Sequence, residues 1–571
     1  MERFNKYWQR YFHWFLGGFG VIWLGWSVFV RGVPTQIDGL NHFYRLLELH
    51  WAVQNGQFYP RWSPDLVYGF GAPLFNFYPP LSYWVAEIPL LLGVPAPVAM
   101  QLGYLSAIAT LLVGSYLLGK RVSGSQWGGC IVAIGYGFAP YTYFNLVERA
   151  AYPELWGMAC VTWATLGILQ LVQAETMRTR LKALLLTVLA CTALVYAHSL
   201  SSFMYLPILL TTAVVGLFAG KVYSTRRGTS WQVLLAGSVA FAWVLLLTLA
   251  WWLPVLYESH LVQLQRTLDA PFADFRQNFV NGYEFFAPPP AYDPLLMAQH
   301  RAISVFTPML LLAGLGLWNW RKHRHHPLFP LVWGLLALGY AFLQFPQSLP
   351  LWEAFPTLAY LQFPWRLLGP LGLLLALLSA SGFQALPTRW QNIVGVGVVL
   401  LGLGYSLSRS YAPTQIPLAG ITHRDIPTHE QATGWIATTT SSEFLPIWAE
   451  TRPDALALAD AYQNNQLPAR RLDRTQLPVG VNIVSEIAGY QSLVIEYDSN
   501  TAWTAYLNWL VFADMQVELD GQSFALQIQP ASGLAIIADL PAGRHLLRVE
   551  RRDSAVQSWG SGVSFLPVWL A

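Results

Sequence analysis

The sequence predicts a polytopic α-helical membrane protein of about eleven transmembrane helices, followed by an extramembrane β-rich domain of sandwich type. Three observations predict it. Charged residues make up only 11% of the 571, against about 25% in soluble domains, and mean hydropathy is +0.38. Apolar runs near the roughly 20 residues that cross a bilayer recur along residues 1–408. From about residue 481 the pattern changes to short alternating runs bounded by DSN, DGQ and PAG, as in strands joined by turns.

The elements follow in order. MERFNKYWQRYFHW is basic and aromatic, and Trp14–Val30 is the first span. No small-residue cleavage site follows, so it is read as retained. Residues 31–96 form a first outer loop that is too polar to cross. Within it, Leu81–Leu92 is apolar but only twelve residues long and contains Pro89, which suits an interfacial or re-entrant helix. Ten more spans fall near Pro97–Leu118, Trp127–Phe144, Leu155–Val172, Leu181–Ala197, Ser202–Ala219, Gln232–Leu256, Ile303–Trp320, Leu328–Phe345, Leu367–Leu386 and Asn392–Leu407.

The charge bias orients this bundle. With the N-terminus cytoplasmic, the inner segments hold 15 Lys and Arg against two acids, Glu2 and Glu175. The outer segments up to residue 408 hold 8 basic and 12 acidic residues. Counting Leu81–Leu92 as a full span would invert everything after it and destroy the pattern. The expectation is a multi-pass protein of the cytoplasmic (inner) membrane with its C-terminal domain exterior. The RKHRHH turn at 321–326 is then an inner topology determinant.

Residues 409–480 read as a mixed linker with a short helix near Asp454–Asn464, and 481–571 as the exterior β-rich domain. Residues 409–571 carry 10 Arg, no Lys and 16 acids, a net of −6, against +9 for residues 1–408. That acidity argues against binding nucleic acid or anionic lipid there. Cys130, Cys160 and Cys191 all lie in apolar segments and suggest neither a disulfide framework nor a Cys-based zinc site. SGSQWGG at 123–129 lacks the Lys-Ser/Thr ending of a phosphate cradle.

The candidate chemistry gathers in the outer segments. Asp38 and His42 stand four residues apart, on one face of a helix, with Arg45 a further turn along. Asp38 admits two readings: a carboxylate that serves as general base or binds a divalent cation, or the N-cap of GLNHFYRLLELHWAV. Glu148, Arg149 and Glu154, in NLVERAAYPEL, form either an ion-paired group at headgroup level or a functional cluster. His198 sits at the outer end of a span, and Glu258 and His260 follow another; each is an interfacial residue or a ligand contact. Arg366, in LQFPWRLLGP, either snorkels or meets a phosphate headgroup.

The stretches QIDGLNHFYRLLELHWAVQNGQFYPRW, YGFGAPLFNFYPPLSYW, ERAAYPEL and LQFPWRLLGP resemble a bacterial family of polytopic proteins labelled "6-pyruvoyl-tetrahydropterin synthase-related", over most of residues 30–370. The three-His zinc site of the soluble synthase is not seen. More broadly, the arrangement resembles the class C (GT-C) membrane glycosyltransferases: Asp38 in the first outer loop, the interfacial segment, the span bundle and the exterior β-rich tail. That resemblance implies a polyprenyl-phosphate-linked sugar as donor, membrane lipid as surroundings, and transfer at the outer face to a cell-envelope glycan or glycolipid. Carried over, Asp38 is the base or the ligand of a divalent cation (Mg or Mn), and Arg366 meets the lipid phosphate. The class often pairs acids in this loop, whereas Asp38 has no adjacent acid; Glu48 and Asp65 are near only in sequence. The competing readings are a transporter or flippase for lipid-linked glycans and a non-catalytic assembly protein. A transporter calls for ionisable residues at mid-span, and the span centres are nearly free of charge.

Overall fold

The computed structural model describes residues 18–569 apart from 27, 224–228, 287–306, 323–327, 409–415 and 440. The basic N-terminal segment, the starts of the first and eighth predicted spans, and most of RKHRHH lie outside the described residues. Each predicted span is met by helix. Residues 18–26 and 28–31 are helical, followed by Ala96–Ser123, Gln126–Gly137, Tyr152–Val172, Met177–Ala197, Ser199–Tyr223, Thr229–Leu247, Thr307–Trp318, Leu328–Phe342, Leu368–Gln384 and Thr388–Ser408. Among the described residues, five helices are long and apolar enough to cross a membrane, and up to eight if each bent pair counts as one span. The chain is a multi-pass membrane protein. Leu81–Leu91 is a separate helix of eleven residues, too short to span, as its length and Pro89 predict.

The chain forms two compact units. The first comprises Met1–Leu40, Pro80–Leu246 and Pro271–Pro417; the second comprises Asn41–Pro79, Leu247–Ala270 and Leu418–Ala571. These borders cut the chain differently from the linear division at residues 408 and 480.

In the first unit, small residues let helices approach closely, as expected where lipid removes the hydrophobic drive to associate. A Cβ on Gly382 would lie 1.9 Å from Leu312 O, and one on Gly316 would lie 2.2 Å from Leu378 O. Side-chain hydroxyls tie helices to each other's backbone: Tyr340 Oη donates to Met204 O at 2.6 Å and Ser379 Oγ to Met309 O at 2.8 Å.

In the second unit the predicted strands are present: β1 (Val481–Ala488), β2 (Ser492–Ser499), β3 (Trp503–Leu510), β4 (Met515–Leu519), β5 (Gln522–Phe524), β6 (Gln527–Ile528), β7 (Leu534–Leu540) and β8 (Gly543–Arg551). They form two antiparallel sheets, ordered β1-β2-β8-β4-β5 and β3-β7-β6. The period of two in β2 and β3 buries Leu493, Ile495 and Tyr497 from one sheet, and Trp503, Ala505 and Leu507 from the other. The Tyr497 and Trp503 rings meet edge to face with centroids 5.1 Å apart.

Two features of this unit go beyond the sequence pattern. The chain ends on a helix, Ala555–Trp569, where strands were expected. Ser554 starts it by accepting from Gln557 N at 3.1 Å, and Gly560 lets it approach Leu249 O, where a Cβ would lie 2.9 Å away. Residues 41–79 of the polar first loop are also built into the β region. Tyr490 Oη donates to Trp62 O at 2.8 Å, and Leu510 N donates to Phe70 O at 3.1 Å.

Candidate functional site

The first unit gathers Asp38, Arg149 and Glu154. The sequence around Arg149 explains how. Phe144–Glu148 forms a π-turn, closed when Arg149 N donates to Phe144 O at 2.8 Å, and Ala150 follows at φ +55°. Such turns cluster at functional sites because they re-aim side chains. Pro153 then sits in the first turn of the Tyr152–Val172 helix, with Glu154 beside it, where the helix dipole favours an acid.

Asp38 arrives from the other side. Its backbone N donates to Arg149 O at 3.0 Å. Gly39 makes the close approach possible: a Cβ there would stand 2.1 Å from Pro34 O and 2.8 Å from Ala150 Cβ. Asp38 Oδ2 then meets Arg149 Nε at 3.0 Å. On its other edge, the guanidinium meets Glu154 Oε2 at 2.6 Å and Asn145 Oδ1 at 3.5 Å. Asn145 Nδ2 donates to Glu154 Oε1 at 3.2 Å, and Tyr141 Oη donates to the same oxygen. Thus Glu154 is sealed at 1% exposure, Arg149 is nearly so at 8%, and Asp38 keeps 28% of its side chain accessible. Burial alone would lower the pKa of Arg149, but the Asp38 and Glu154 carboxylates outweigh it and hold it above the usual guanidinium range.

Arg366 belongs to the same group. Trp365 lies with its ring centroid 5.8 Å from the Arg149 guanidinium and packs against Tyr141 and Phe144. Arg366 itself is close enough to Arg149, Glu154 and Asp38 to feel their charges. It donates to Leu361 O and Gln362 Oε1, both at 3.1 Å. Its Nε is buried with no hydrogen-bond partner among the described residues. His198 borders the group one turn along the Glu154 helix, where a Cβ on Gly157 would meet His198 Cβ at 3.4 Å and Ser201 Oγ at 2.6 Å. His198 Nδ1 pairs with Ser201 Oγ at 2.7 Å. Glu148 is buried within the π-turn itself.

The other sequence candidates fall in the second unit. His42 is buried. Arg45 donates through Nε to Thr438 Oγ1 at 3.0 Å and through an NH2 group to Thr438 O at 2.8 Å, with Tyr78 stacked at 4.2 Å. Glu258 is buried and accepts from Asn76 and Gln557 amides, both at 2.7 Å, and from Ser554 Oγ. His260 is exposed. The structure therefore brings together Asp38, Arg149, Glu154, His198 and Arg366, and gives Arg45 and Glu258 local partners that fix backbone and side chains.

The surroundings of Asp38 do not fit a divalent cation. Such a cation takes several oxygen ligands. Here a guanidinium stands 3.0 Å from Asp38, and the second carboxylate, Glu154, is committed to Arg149, Asn145 and Tyr141. Among the described residues, no three His, Cys, Asp or Glu are grouped to hold a metal ion.

Sequence reasoning missed Tyr141, Asn145 and Trp365, which shape the site. Their signal was present: Asn145 stands four residues before Arg149, and Trp365 directly before Arg366.

A bundle of apolar helices with a part-open carboxylate paired to the buried Arg149 defines a polytopic membrane protein with a charged niche in its first unit. The chain belongs to the family of unknown function DUF6541, whose model matches residues 33–447. That description carries no pterin label. No curated protein matches the sequence. Among solved structures it is similar to ArnT from Cupriavidus metallidurans bound to undecaprenyl phosphate, at 12% identity and TM-score 0.41, over 70% of this chain and 66% of that one. It is also similar to the arabinofuranosyltransferase AftD from Mycobacteria, at 16% identity and TM-score 0.44, over 74% of this chain and 29% of that one. ArnT in the apo state matches at 15% identity and TM-score 0.39, over 70% and 66%. The chain thus spans just under two thirds of ArnT and under a third of AftD.

Proposed function

We propose that this chain is a membrane glycosyltransferase that moves a sugar from a polyprenyl-phosphate donor to an acceptor hydroxyl, in a cell-envelope glycan or glycolipid, at the membrane face bearing Asp38. The observation that carries the reading is the graded exposure along one line of charges: Glu154 sealed, Arg149 nearly sealed, Asp38 part-open. A purely structural ion pair needs no accessible end. An acceptor hydroxyl placed against Asp38 can give up its proton to the free carboxylate lone pairs as its oxygen bonds to the anomeric carbon. The bond from that carbon to the phosphate oxygen breaks, and its electron pair leaves with the phosphate. Arg149 and Arg366, whose Nε has no hydrogen-bond partner among the described residues, supply positive charge for that leaving group. Glu154, Asn145 and Tyr141 position Arg149 from behind. The apolar helices of the first unit offer the surroundings that an isoprenoid chain needs.

The test is transfer from a labelled polyprenyl-phosphate sugar to membrane glycans. The Asp38→Asn variant is expected to lose about 10²- to 10⁴-fold in rate. Undiminished transfer by that variant removes Asp38 from the mechanism.

A further inference from the structure

Along the first unit's helices, from Lys120 inward to Leu112 and Phe138, lies an apolar cavity of about 290 Å³, walled by four helical segments. Phe19 and Val21 come from the first helix, Leu112, Tyr116 and Lys120 from Ala96–Ser123, Ala133 from Gln126–Gly137, and Val399 from Thr388–Ser408. Of its lining residues, Phe138 and Cys130 are buried and Phe19 is 36% exposed. Leu112, Tyr116 and Lys120 are four residues apart and share one helix face, which leads from the apolar interior to a single ammonium. Lys120 has no salt bridge among the described residues and is exposed, in the helix's last turn with Arg121 beside it.

We propose that this cavity is a binding site for one acyl chain of an anionic glycerophospholipid, with its phosphate at Lys120. The chemistry selects the occupant. Walls this apolar give a water too few polar partners, and an empty void forfeits dispersion contacts. A hydrocarbon chain restores them, and a basic residue at the end of a membrane helix favours an anionic headgroup. The site is separate from the charged niche. Tyr104, whose Oη donates to Ala150 O beside Arg149, lies sixteen residues before Lys120 on the same helix, roughly 24 Å at 1.5 Å per residue. A lipid whose phosphate rests at Lys120 therefore belongs to the opposite leaflet and cannot present a sugar to Asp38.

The full chain is reconstituted in phosphatidylethanolamine bilayers with a trace of phosphatidylglycerol bearing a photoreactive diazirine in one acyl chain, and labelled peptides are mapped. Labelling is expected to concentrate on the peptides holding Phe19–Val21, Leu112–Leu117 and Ala133–Ile134, several-fold above a matched phosphatidylethanolamine probe. Ala133→Trp, which fills the cavity, lowers it several-fold. Lys120→Gln, an exposed change that leaves packing intact, removes the preference for the anionic probe. Labelling spread evenly over the lipid-facing helices, labelling indifferent to Lys120→Gln, or labelling that appears only after residues 1–17 are deleted would overturn the proposal; the last result would make the protein's own N-terminal segment the occupant.

Discussion

Two buried charged groups, one in each unit, behave in opposite ways. In the first unit, signs alternate: Glu154, Arg149 and Asp38 stand in line, and the last is part-open. In the second unit, Glu48, Asp65 and Glu430 gather, and among the described residues no Lys or Arg salt bridge joins them. Glu48 is fully buried beside Asp65 and Ser63, and burial first, then the charge of Asp65, pushes its carboxyl well above the usual range. Asp65 is closed off by Tyr462 Oη at 2.6 Å and His423 Nδ1 at 2.7 Å. Glu430 accepts from Val67, Tyr68 and Ala437 backbone N–H groups, and burial raises it to about 7. All three of those residues have φ between +56° and +58°. A single carboxyl thus holds strained backbone from two chain segments in place. The difference teaches that burial of charge alone does not mark a working site. Under the proposed function, the accessible end at Asp38 is what separates the first group from the second.

That contrast can be broken at either group. The largest effect is expected from Asp38→Asn set against Asp65→Asn. The first should cost transfer about 10²- to 10⁴-fold per folded molecule. The second should lower stability while sparing transfer per folded molecule, as measured by turnover normalised to folded protein. Glu154→Gln comes next. It keeps the shape but removes the charge that fixes Arg149, so the rate should fall by about 10- to 100-fold with the donor's KM nearly unchanged. Arg149→Lys should not rescue it, because an ammonium cannot bridge Asp38 and Glu154 as a planar fork does.

Smaller effects belong to the second unit. Glu430→Gln should destabilise by about 1–3 kcal/mol, because one acceptor facing the three N–H groups becomes a donor. The pH dependence has a definite sign. The Glu430 carboxyl is raised on folding, so between its ordinary value of 4.5 and about 7 the folded state holds a proton that the unfolded chain has lost. Its contribution to stability is therefore present at low pH and fades as pH rises through that window. Glu48 acts with the same sign. Thermal unfolding from pH 4.5 to 7.5 should show Tm falling, and Glu430→Gln should flatten the slope. Smallest is His423→Ala, which deletes one hydrogen bond to Asp65 and should cost about 1 kcal/mol with transfer intact.

Much of this was legible in the sequence, and the reasons differ by region. Spans are written in composition: a run such as Leu367–Leu386 has no alternative to a helix in lipid. Leu81–Leu91 was legible because length and Pro89 agree. The strands were legible because burial alternates in β2 and β3. The terminal helix was not, since SFLPVW reads equally well as a strand until its packing partner near Leu249 is known. In the site, Asp38, Arg149, Glu154 and Arg366 stood out as charges beside apolar runs. Their pairing did not, because it depends on a π-turn and a positive φ at Ala150 that no propensity encodes. Arg45 and Glu258 looked alike for the same reason: an ionisable residue at the end of an apolar run carries no mark of whether a backbone carbonyl or an amide will meet it.

The most direct measurement is a structure of the protein with a polyprenyl-phosphate bound. The account predicts a phosphate oxygen at hydrogen-bond distance from Arg366 Nε, about 2.7–3.2 Å, with Asp38 Oδ1 facing the same space. A phosphate lodged away from both Arg366 and Arg149, with Asp38 still turned to bulk water, would contradict it.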